Sequence, residues 1–347
     1  MLFTFVKPFI YALDAEKAHN LTIKGLKALP RIGLPRFDPM LASSVAGLDF
    51  PSPVGLAPGF DKNGEVPRIM MHMGFGFAEV GTLTPRPQEG NPKPRLFRLV
   101  EDKAVINRLG FNNQGQEMAI RRLTRERREP LPGILGINIG ANKDSEDRIA
   151  DYVSGVRHMA SFADYLTVNI SSPNTPGLRA LQDKGALIDL LSAVRKARKN
   201  NSVPIFLKLA PDLEPSDIDD IVKTAMDQRL DALIISNTTI SRPPLKSSHR
   251  DETGGLSGAP LKSLALQRLK DFRKASGGGI PLIGVGGIAS AADAYERICA
   301  GASLVQIYSA MVYEGPRLAE TINKGLVKLL KRDGFANIAE AVGTSIR

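Results

Sequence analysis

The sequence predicts an α/β protein, a (β/α)8 TIM barrel with a small helical extension at its N-terminus. Three observations lead to this prediction: eight short apolar runs, helix-like segments between most of them, and a polar residue or glycine at or near the end of nearly every run. Near-continuous apolar runs of this length are typical of parallel strands that are buried on both faces. The runs cover residues 54–57, 77–82, 134–140, 165–171, 205–210, 232–238, 281–287 and 304–310.

Residues 1–38 are the predicted extension, and residues 39–347 are the predicted barrel domain. Five apolar residues share one face of a first predicted helix: Leu2, Phe5, Val6, Phe9 and Leu13. A second helix is expected from Asp14, its N-cap, to Leu29. With the lysines and arginines around them, the two helices resemble an amphipathic pair that lies in an anionic membrane surface. The alternative is a helical cap that folds against the barrel.

Composition narrows the classes of protein that the chain can belong to. Its 347 residues exceed the ~250 of a typical barrel, which leaves room for the extension and an insertion. The single cysteine, Cys299, excludes an intrachain disulfide, and the four histidines lack ligand spacing, so no metal site is expected. The net charge of +10 comes without an aromatic-interleaved basic motif, so no nucleic-acid partner is expected.

The fourth apolar run leads without a gap into residues 169–179, a segment rich in Asn, Ser, Thr, Pro and Gly. Such a segment is either an ordinary turn or a set of polar groups that a rigid strand aims at a ligand. Other runs carry similar residues at their ends, namely Thr82, Asn138, Lys208 and Asn237. Because the carboxyl ends of barrel strands meet at one mouth, this recurrence favours an active site.

Two loops, one with glycines and one with hydroxyl side chains, indicate a phosphate site. Gly286 and Gly287 end the seventh run, and Tyr308 and Ser309 end the eighth. Loops after these two strands bind phosphate in many barrels, because bare glycine amides let the backbone approach an anion. The glycines lack the full dinucleotide-binding spacing. A phosphate together with strand-end amides that suit a hydrogen-bonding ring system indicates flavin mononucleotide (FMN).

Lys208 stands inside the apolar fifth run. Burying an ammonium is unfavourable unless an anion or strong acceptors compensate, so a partner at the barrel mouth is expected. Beside a flavin, the lysine would stabilise the negative charge of the reduced ring. A Schiff-base lysine of the aldolase kind is the rival interpretation. The amide-rich strand ends and the glycine pair favour the flavin.

Several motifs together are highly specific, although each is weak alone. They are residues 55–64, 79–82, 107–113, 137–140, 169–179, 254–258 and the two phosphate loops. Over almost its whole length the chain resembles the class 2 dihydroorotate dehydrogenases, the quinone-linked, membrane-associated flavoenzymes of pyrimidine synthesis. The resemblance implies oxidation of (S)-dihydroorotate to orotate in de novo UMP synthesis, with FMN as hydride acceptor and a membrane quinone as final electron acceptor.

The resemblance also implies the residues that contact each ligand. The implied FMN contacts are Ala57, Gly59, Lys62, Thr82, Asn138, Asn169, Lys208, Ser236, Gly258, Gly287, Tyr308 and Ser309. The implied substrate contacts are Lys62, Asn107, Arg108, Leu109, Gly110, Phe111, Asn169, Asn174, Asn237 and Thr238. A pocket rich in asparagine offers donors and acceptors to a cyclic urea, while a lysine supplies positive charge for the carboxylate.

The resemblance places the catalytic base at Ser172. Side-chain alternation along an extended segment would instead put Ser171 on the side of Asn169, although Pro173 breaks simple alternation. Ser171 therefore remains a competing candidate. An isolated serine hydroxyl is a poor base, so a chain such as water with Thr175 has to carry the proton onward. The soluble class 1 enzymes use a cysteine here, and its absence supports class 2.

His19, Arg98 and Tyr308 match family positions that line a quinone tunnel. Without the resemblance, His19 would be an ordinary helix histidine and Arg98 a strand-edge charge.

The expected location is peripheral on the cytoplasmic face of a membrane, which is the inner membrane in a bacterium, and a monomer is compatible with the sequence. Other FMN barrel enzymes would bring iron–sulfur cysteines or an RNA-binding domain, and neither is visible. A non-catalytic barrel has no need for Lys208, Ser172 and the pocket amides together.

Overall fold

A computed structural model describes residues 2–30, 33, 35–198 and 202–346, with the side chains of residues 2–5 left out. The helices of this part of the chain are α1 Leu2–Ala12, α2 Ala15–Ala28, α3 Pro67–His72, α4 Gly115–Glu126, α5 Arg148–Met159, α6 Lys184–Arg198, α7 Pro215–Asp227, α8 Lys262–Ser276, α9 Ala291–Cys299, α10 Ala310–Glu314 and α11 Leu318–Asp333. Short 3-10 turns occupy Pro39–Leu41, Leu178–Gln182, Ala259–Leu261 and Ile338–Ala341.

The strands alternate with these helices along most of the chain. They are β1 Ser43–Val45, β2 Leu48–Phe50, β3 Val54–Leu56, β4 Phe77–Leu83, β5 Leu96–Leu99, β6 Ala104–Asn107, β7 Ile134–Ile139, β8 Tyr165–Asn169, β9 Ile205–Leu209, β10 Ala232–Ile235, β11 Gly255–Gly258, β12 Leu282–Val285 and β13 Ala302–Ile307. Eight of them, β3, β4, β7, β8, β9, β10, β12 and β13, pair in parallel in that order and close into a barrel. Each of the eight apolar runs overlaps one barrel strand, so the predicted fold is confirmed.

An aromatic layer fills the amino end of the barrel. Phe77, Tyr165 and Phe206 point inward from the starts of β4, β8 and β9, and the rings of Tyr165 and Phe206 stack with centroids 4.3 Å apart. The β1–β2 hairpin adds Phe50, whose ring meets that of Phe77 edge-on at 5.2 Å. Gly136 makes room for this layer, because a Cβ there would lie 2.1 Å from the Tyr165 ring. The amino end is therefore packed, and open space is left to the carboxyl end.

A small antiparallel sheet of β5, β6 and β11 lies over the carboxyl end of the barrel. The N-terminal helices pack beside it. Asp14 accepts a hydrogen bond from the backbone N–H of Lys17 at 2.9 Å, which confirms it as the N-cap of α2. The carboxylate of Glu16 on α2 pairs with the guanidinium of Arg95, just before β5, at 2.6 and 3.0 Å. This buried bidentate pair fastens α2 to the barrel domain.

The outer surface of α1 is apolar where its side chains are described. Phe9 is 76% exposed, and Val6 and Leu13 are each 40% exposed. The side chains of Leu2 and Phe5, the other members of the predicted stripe, lie outside the described ones. Large exposed apolar side chains on one face indicate a surface that contacts a membrane or another molecule.

Candidate active site

A cavity of about 620 Å³ lies at the carboxyl ends of the barrel strands and extends beneath the small sheet to α2. Nearly all the residues predicted for the site line it: His19, Ala57, Gly59, Lys62, Thr82, Arg98, Asn107, Leu109, Gly110, Phe111, Asn169, Ser172, Asn174, Lys208, Ser236, Asn237, Thr238, Gly258, Gly287, Tyr308 and Ser309. The cavity is therefore lined by residues of both the predicted N-terminal extension and the predicted barrel domain.

Two of the predicted site residues do not line the cavity. Asn138 is fully buried behind its wall, where its Oδ1 accepts a hydrogen bond from the Thr82 hydroxyl at 2.5 Å. Arg108 turns away from the cavity, because its guanidinium pairs with Glu252 at 2.7 Å and lies 4.6 Å from the ring centroid of Phe97. Its immediate neighbours in the chain face the cavity, so the loop and not the arginine side chain forms this part of the wall.

Lys208 projects from β9 and is 4% exposed. Its ammonium has no hydrogen-bond or ion-pair partner among the described residues. Burial lowers the pKa of Lys208, and the charge of Glu79 partly opposes this effect. A buried ammonium without a contact partner is unfavourable. The site is therefore built to receive a ligand with an acceptor or a negative charge at this point.

The two serines of residues 169–179 have different surroundings. Ser171 is fully buried in the wall, where its hydroxyl donates to Oδ1 of Asn169 at 2.8 Å and accepts from Nδ2 of Asn237 at 2.8 Å. Ser172 lines the cavity, and its hydroxyl accepts from the backbone N–H of Asn174 at 3.2 Å. Ser172 is therefore the serine of the pair that can meet a ligand, and Ser171 orients the amides.

Contacts of Arg179 stabilise the loop that carries these serines. The Arg179 guanidinium donates to the carbonyl oxygens of Ser171 and Thr238, both at 3.1 Å, and pairs with Asp212 at 2.9 Å. The hydroxyl of Thr175 is buried and has no partner among the described residues. An unpaired buried hydroxyl is unusual and calls for a functional explanation.

The second N-terminal helix reaches the barrel site through His19. Its Nε2 lies 3.1 Å from the ammonium nitrogen of Lys62. Burial, helped by the charge of Lys62, lowers the pKa of His19 to about 3, so the imidazole is neutral and accepts from the ammonium. Burial also lowers the pKa of Lys62 to about 8, although Glu16 and Asp61 act in the opposite direction.

Aromatic rings connect His19 to the end of the eighth barrel strand. His19 meets Phe60 edge-on with centroids 5.4 Å apart, and Phe60 meets Tyr308 in the same way at 5.9 Å. Burial raises the pKa of Tyr308, which keeps its phenol protonated. This side of the cavity is therefore marked by aromatic rings, in contrast to the amide-rich side.

Arg98 marks the outer end of the cavity. Its guanidinium donates to the carbonyl oxygens of Ile10 at 2.9 Å and Tyr11 at 3.1 Å, and also to that of Leu13. These carbonyls lie at or just after the C-terminal end of α1, where a cation is favourable. In addition to lining the predicted tunnel, Arg98 therefore anchors the first helix.

The two predicted phosphate loops lie together at the carboxyl end of the barrel. Gly286 has φ +112° and Gly287 has φ +70°, and a Cβ at Gly287 would lie 2.5 Å from Cα of Lys262. Both positions therefore require glycine. Ser309 lies beside them in the cavity wall, with its hydroxyl 2.7 Å from that of Ser257 on β11.

Sequence reasoning missed a buried carboxylate, Glu79 on β4, as a functional candidate. It is fully buried and accepts hydrogen bonds from Asn138, Tyr165 and Gln306. The signal was present in the sequence, because Glu79 is a lone charge in an apolar run, as Lys208 is in its own run.

No group of three or more His, Cys, Asp or Glu side chains is placed to hold a metal ion in the part of the chain that the structure describes. Across those same residues, the helices are all too short or too polar to cross a membrane.

Comparisons with known proteins agree with this geometry. The family model for dihydroorotate dehydrogenase matches residues 40–330. A dihydroorotate dehydrogenase (quinone) of Novosphingobium aromaticivorans is 64% identical over 345 residues, which cover 99% of each chain. Its counterpart in Sphingopyxis alaskensis is 64% identical over 98% of this chain and 96% of its own.

Solved structures give the same result. The crystal structure of DHODH from Eimeria tenella in complex with ferulenol superposes with a TM-score of 0.93 at 41% sequence identity, covering 98% of this chain and 99% of that one. Such values over the full length show a shared fold and family, not a shared fold alone. The chain therefore belongs to the class 2, quinone-dependent dihydroorotate dehydrogenases.

Proposed function

We propose that the protein oxidises (S)-dihydroorotate to orotate with FMN as hydride acceptor and a membrane quinone as final electron acceptor, in de novo UMP synthesis. The observation that carries this proposal is the single cavity, which joins an amide-rich pocket with Ser172 to a ring-lined passage beside His19. Relatives named dihydroorotate dehydrogenase (quinone) share almost the whole chain. We further propose that residues 1–38 form the quinone-access segment and residues 39–347 the catalytic domain.

The residues present fit FMN. Lys208 offers an ammonium without a contact partner among the described residues, as the negative charge of a reduced flavin requires. Gly286 and Gly287 line the cavity together with Ser309, and bare glycine amides suit a phosphate. When bound, FMN supplies hydride acceptance from the substrate and electron transfer to the quinone. The chain's own residues have to bind and orient the substrate, remove a proton and guide the quinone.

Substrate binding follows from the amides and Lys62. The pocket side chains of Asn107, Asn174 and Asn237 offer donors and acceptors to a cyclic urea, and Nδ2 of Asn174 already donates to the carbonyl of Asn107 at 3.1 Å. The Lys62 ammonium supplies the positive charge that a substrate carboxylate needs. Because asparagines do not titrate, their part in binding is independent of pH.

We assign proton removal to Ser172, which lines the cavity. Oxidation of dihydroorotate takes a proton from one ring carbon, and a base must stand within reach of it. A serine hydroxyl is a poor base unless its own proton can leave. The unpaired hydroxyl of Thr175 supports a relay through this residue and water.

The function is tested by an anaerobic titration of the purified yellow protein with dihydroorotate. We expect the flavin absorbance to bleach in proportion to added dihydroorotate and to return when a soluble quinone is added. Protein that binds no FMN, or whose flavin stays oxidised, would contradict the proposal. Borohydride trapping of a carbonyl substrate on Lys208 would replace it with the Schiff-base interpretation.

We also propose that the protein is peripheral on the cytoplasmic face of a membrane, the inner membrane in a bacterium, and that α1 enters an anionic membrane surface. Phe9→Asp should lower binding to vesicles that contain anionic lipid about tenfold or more, since burying a phenylalanine contributes about 1.5–3 kcal/mol. Vesicle co-sedimentation measures this change. Met226→Asp on α7, also at an exposed apolar side chain, is the matched control and should bind like the parent protein. Equal binding by both variants would place the membrane contact elsewhere.

A further inference from the structure

Glu79 lies near the middle of β4, fully buried inside the barrel. Its Oε1 accepts from Nδ2 of Asn138 at 2.8 Å, and its Oε2 accepts from the Tyr165 hydroxyl at 2.9 Å and from Nε2 of Gln306 at 2.6 Å. Burial, and to a smaller extent the charge of Glu79, raise the pKa of Tyr165. The phenol therefore stays protonated and donates its hydrogen. Donors from three other strands therefore converge on one carboxylate.

None of these three donors carries a charge. The carboxylate is satisfied by hydrogen bonds, but its negative charge is not cancelled at contact distance by any of them. A cation that its field reaches is Lys208, whose pKa burial lowers and Glu79 raises. Because the Lys208 ammonium has no contact partner among the described residues, Glu79 acts on it through space. Both are buried side chains of barrel strands, and Lys208 on β9 pairs in register with Asn169 on β8.

A chain of hydrogen bonds runs from the cavity wall to Glu79. Nδ2 of Asn237 donates to the Ser171 hydroxyl at 2.8 Å, which donates to Oδ1 of Asn169 at 2.8 Å. Nδ2 of Asn169 donates to Oδ1 of Asn138 at 3.1 Å, and Asn138 in turn donates to Glu79. Every link donates in the same direction. A carboxylate can only accept, so the chain cannot run the other way.

The direction of this chain matters to a ligand, because an amide has a donor end and an acceptor end. Asn237 lines the cavity, and after one N–H has bonded Ser171 it keeps a second N–H for a ligand. If the chain were reversed, the amide would turn and offer its oxygen at the same point. The group that holds the direction therefore helps to decide which ligand atoms the pocket accepts.

We propose that Glu79 is a positioning residue, which fixes the direction of the pocket amides and provides the internal counter-charge of Lys208. The inference rests on the proposed function, because it concerns the groups that would meet dihydroorotate and FMN. Glu79→Gln keeps the shape but removes both properties. A glutamine carries no charge, and it can turn its own donor toward Asn138.

The test compares full-length variants loaded with FMN. Two quantities are measured, the reduction potential of the flavin by dye-equilibrated titration and the dissociation constant of orotate by perturbation of the flavin spectrum. Glu79→Gln should shift the potential in the positive direction, because a negative charge near the reduced cofactor is gone, and should weaken orotate binding about tenfold. Lys208→Met should shift the potential in the negative direction. A structural defect alone would not produce opposite shifts.

Two further variants separate charge from direction. Asn138→Ala cuts the chain but keeps the carboxylate, so it should weaken orotate binding as Glu79→Gln does. Tyr165→Phe removes one donor outside the chain and should match the parent in both quantities. If Glu79→Gln folds poorly, Asn138→Ala against Tyr165→Phe decides the directional claim alone.

Three results would overturn the inference: a Glu79→Gln protein that behaves like Tyr165→Phe, a negative shift of its potential, or parental orotate affinity in Asn138→Ala. A parent protein that takes up no FMN, or that dihydroorotate does not bleach, would instead contradict the proposed function. The two failures are thereby distinguished in the same set of experiments.

Discussion

Replacement of Ser172 by alanine should slow the reduction of the flavin by dihydroorotate about 10²-fold or more, because Ser171, the other serine of the pair, does not line the cavity. FMN content and orotate affinity should stay close to those of the parent protein. Anaerobic stopped-flow absorbance at saturating dihydroorotate measures the rate. Ser172→Cys should recover part of it, since a cysteine thiolate can also accept the proton.

Ser171→Ala is the matched control for this prediction. Its hydroxyl orients Asn169 and Asn237 within the wall, so its loss should weaken substrate binding more than it slows the reduction at saturation. If Ser172→Ala reduces its flavin at the parental rate while Ser171→Ala does not, the base has been assigned to the wrong serine.

Filling the passage beside α2 should block the quinone without touching the pyrimidine pocket. Gly25 on α2 lines the cavity, and a Cβ there would meet no atom within 4 Å, so Gly25→Trp can project a ring into the passage without a backbone clash. We expect the second-order rate constant of flavin reoxidation by a quinone to fall about tenfold or more, the equivalent of about 1.4 kcal/mol of lost access or binding. Flavin reduction by dihydroorotate should be unchanged.

The matched control is Gly185→Trp on α6, where a Cβ would also meet no atom within 4 Å. Both changes replace a helical glycine and add the same ring, so general effects on stability should be similar. Parental reoxidation in Gly25→Trp would place the quinone site elsewhere on the barrel.

The barrel could be predicted because its pattern is local. Each strand is buried on both faces, so each appears as an apolar run, and the polar residue that follows marks the mouth. The same logic located Lys208, Asn169 and the two phosphate loops. The pattern of strand ends does not mark Glu79, because Glu79 lies nearer the middle of its strand.

Side-chain directions and distant pairs could not be predicted, because no local pattern encodes them. The sequence gives no sign that Arg108 turns outward to Glu252 while its neighbours face the cavity. Nor does it indicate that Glu16 pairs with Arg95, a contact across 79 positions that fastens α2 to the barrel domain. The choice between Ser171 and Ser172 likewise depends on the turn after β8, which alternation along a strand does not describe.

The claim that one cavity serves two chemically separate half-reactions is tested most directly by measuring both rates in the same stopped-flow series. Reduction by dihydroorotate and reoxidation by a soluble quinone should be followed for the parent, Ser172→Ala and Gly25→Trp. Ser172→Ala should slow only the reduction, and Gly25→Trp should slow only the reoxidation. Equal slowing of both half-reactions by either variant would contradict the claim.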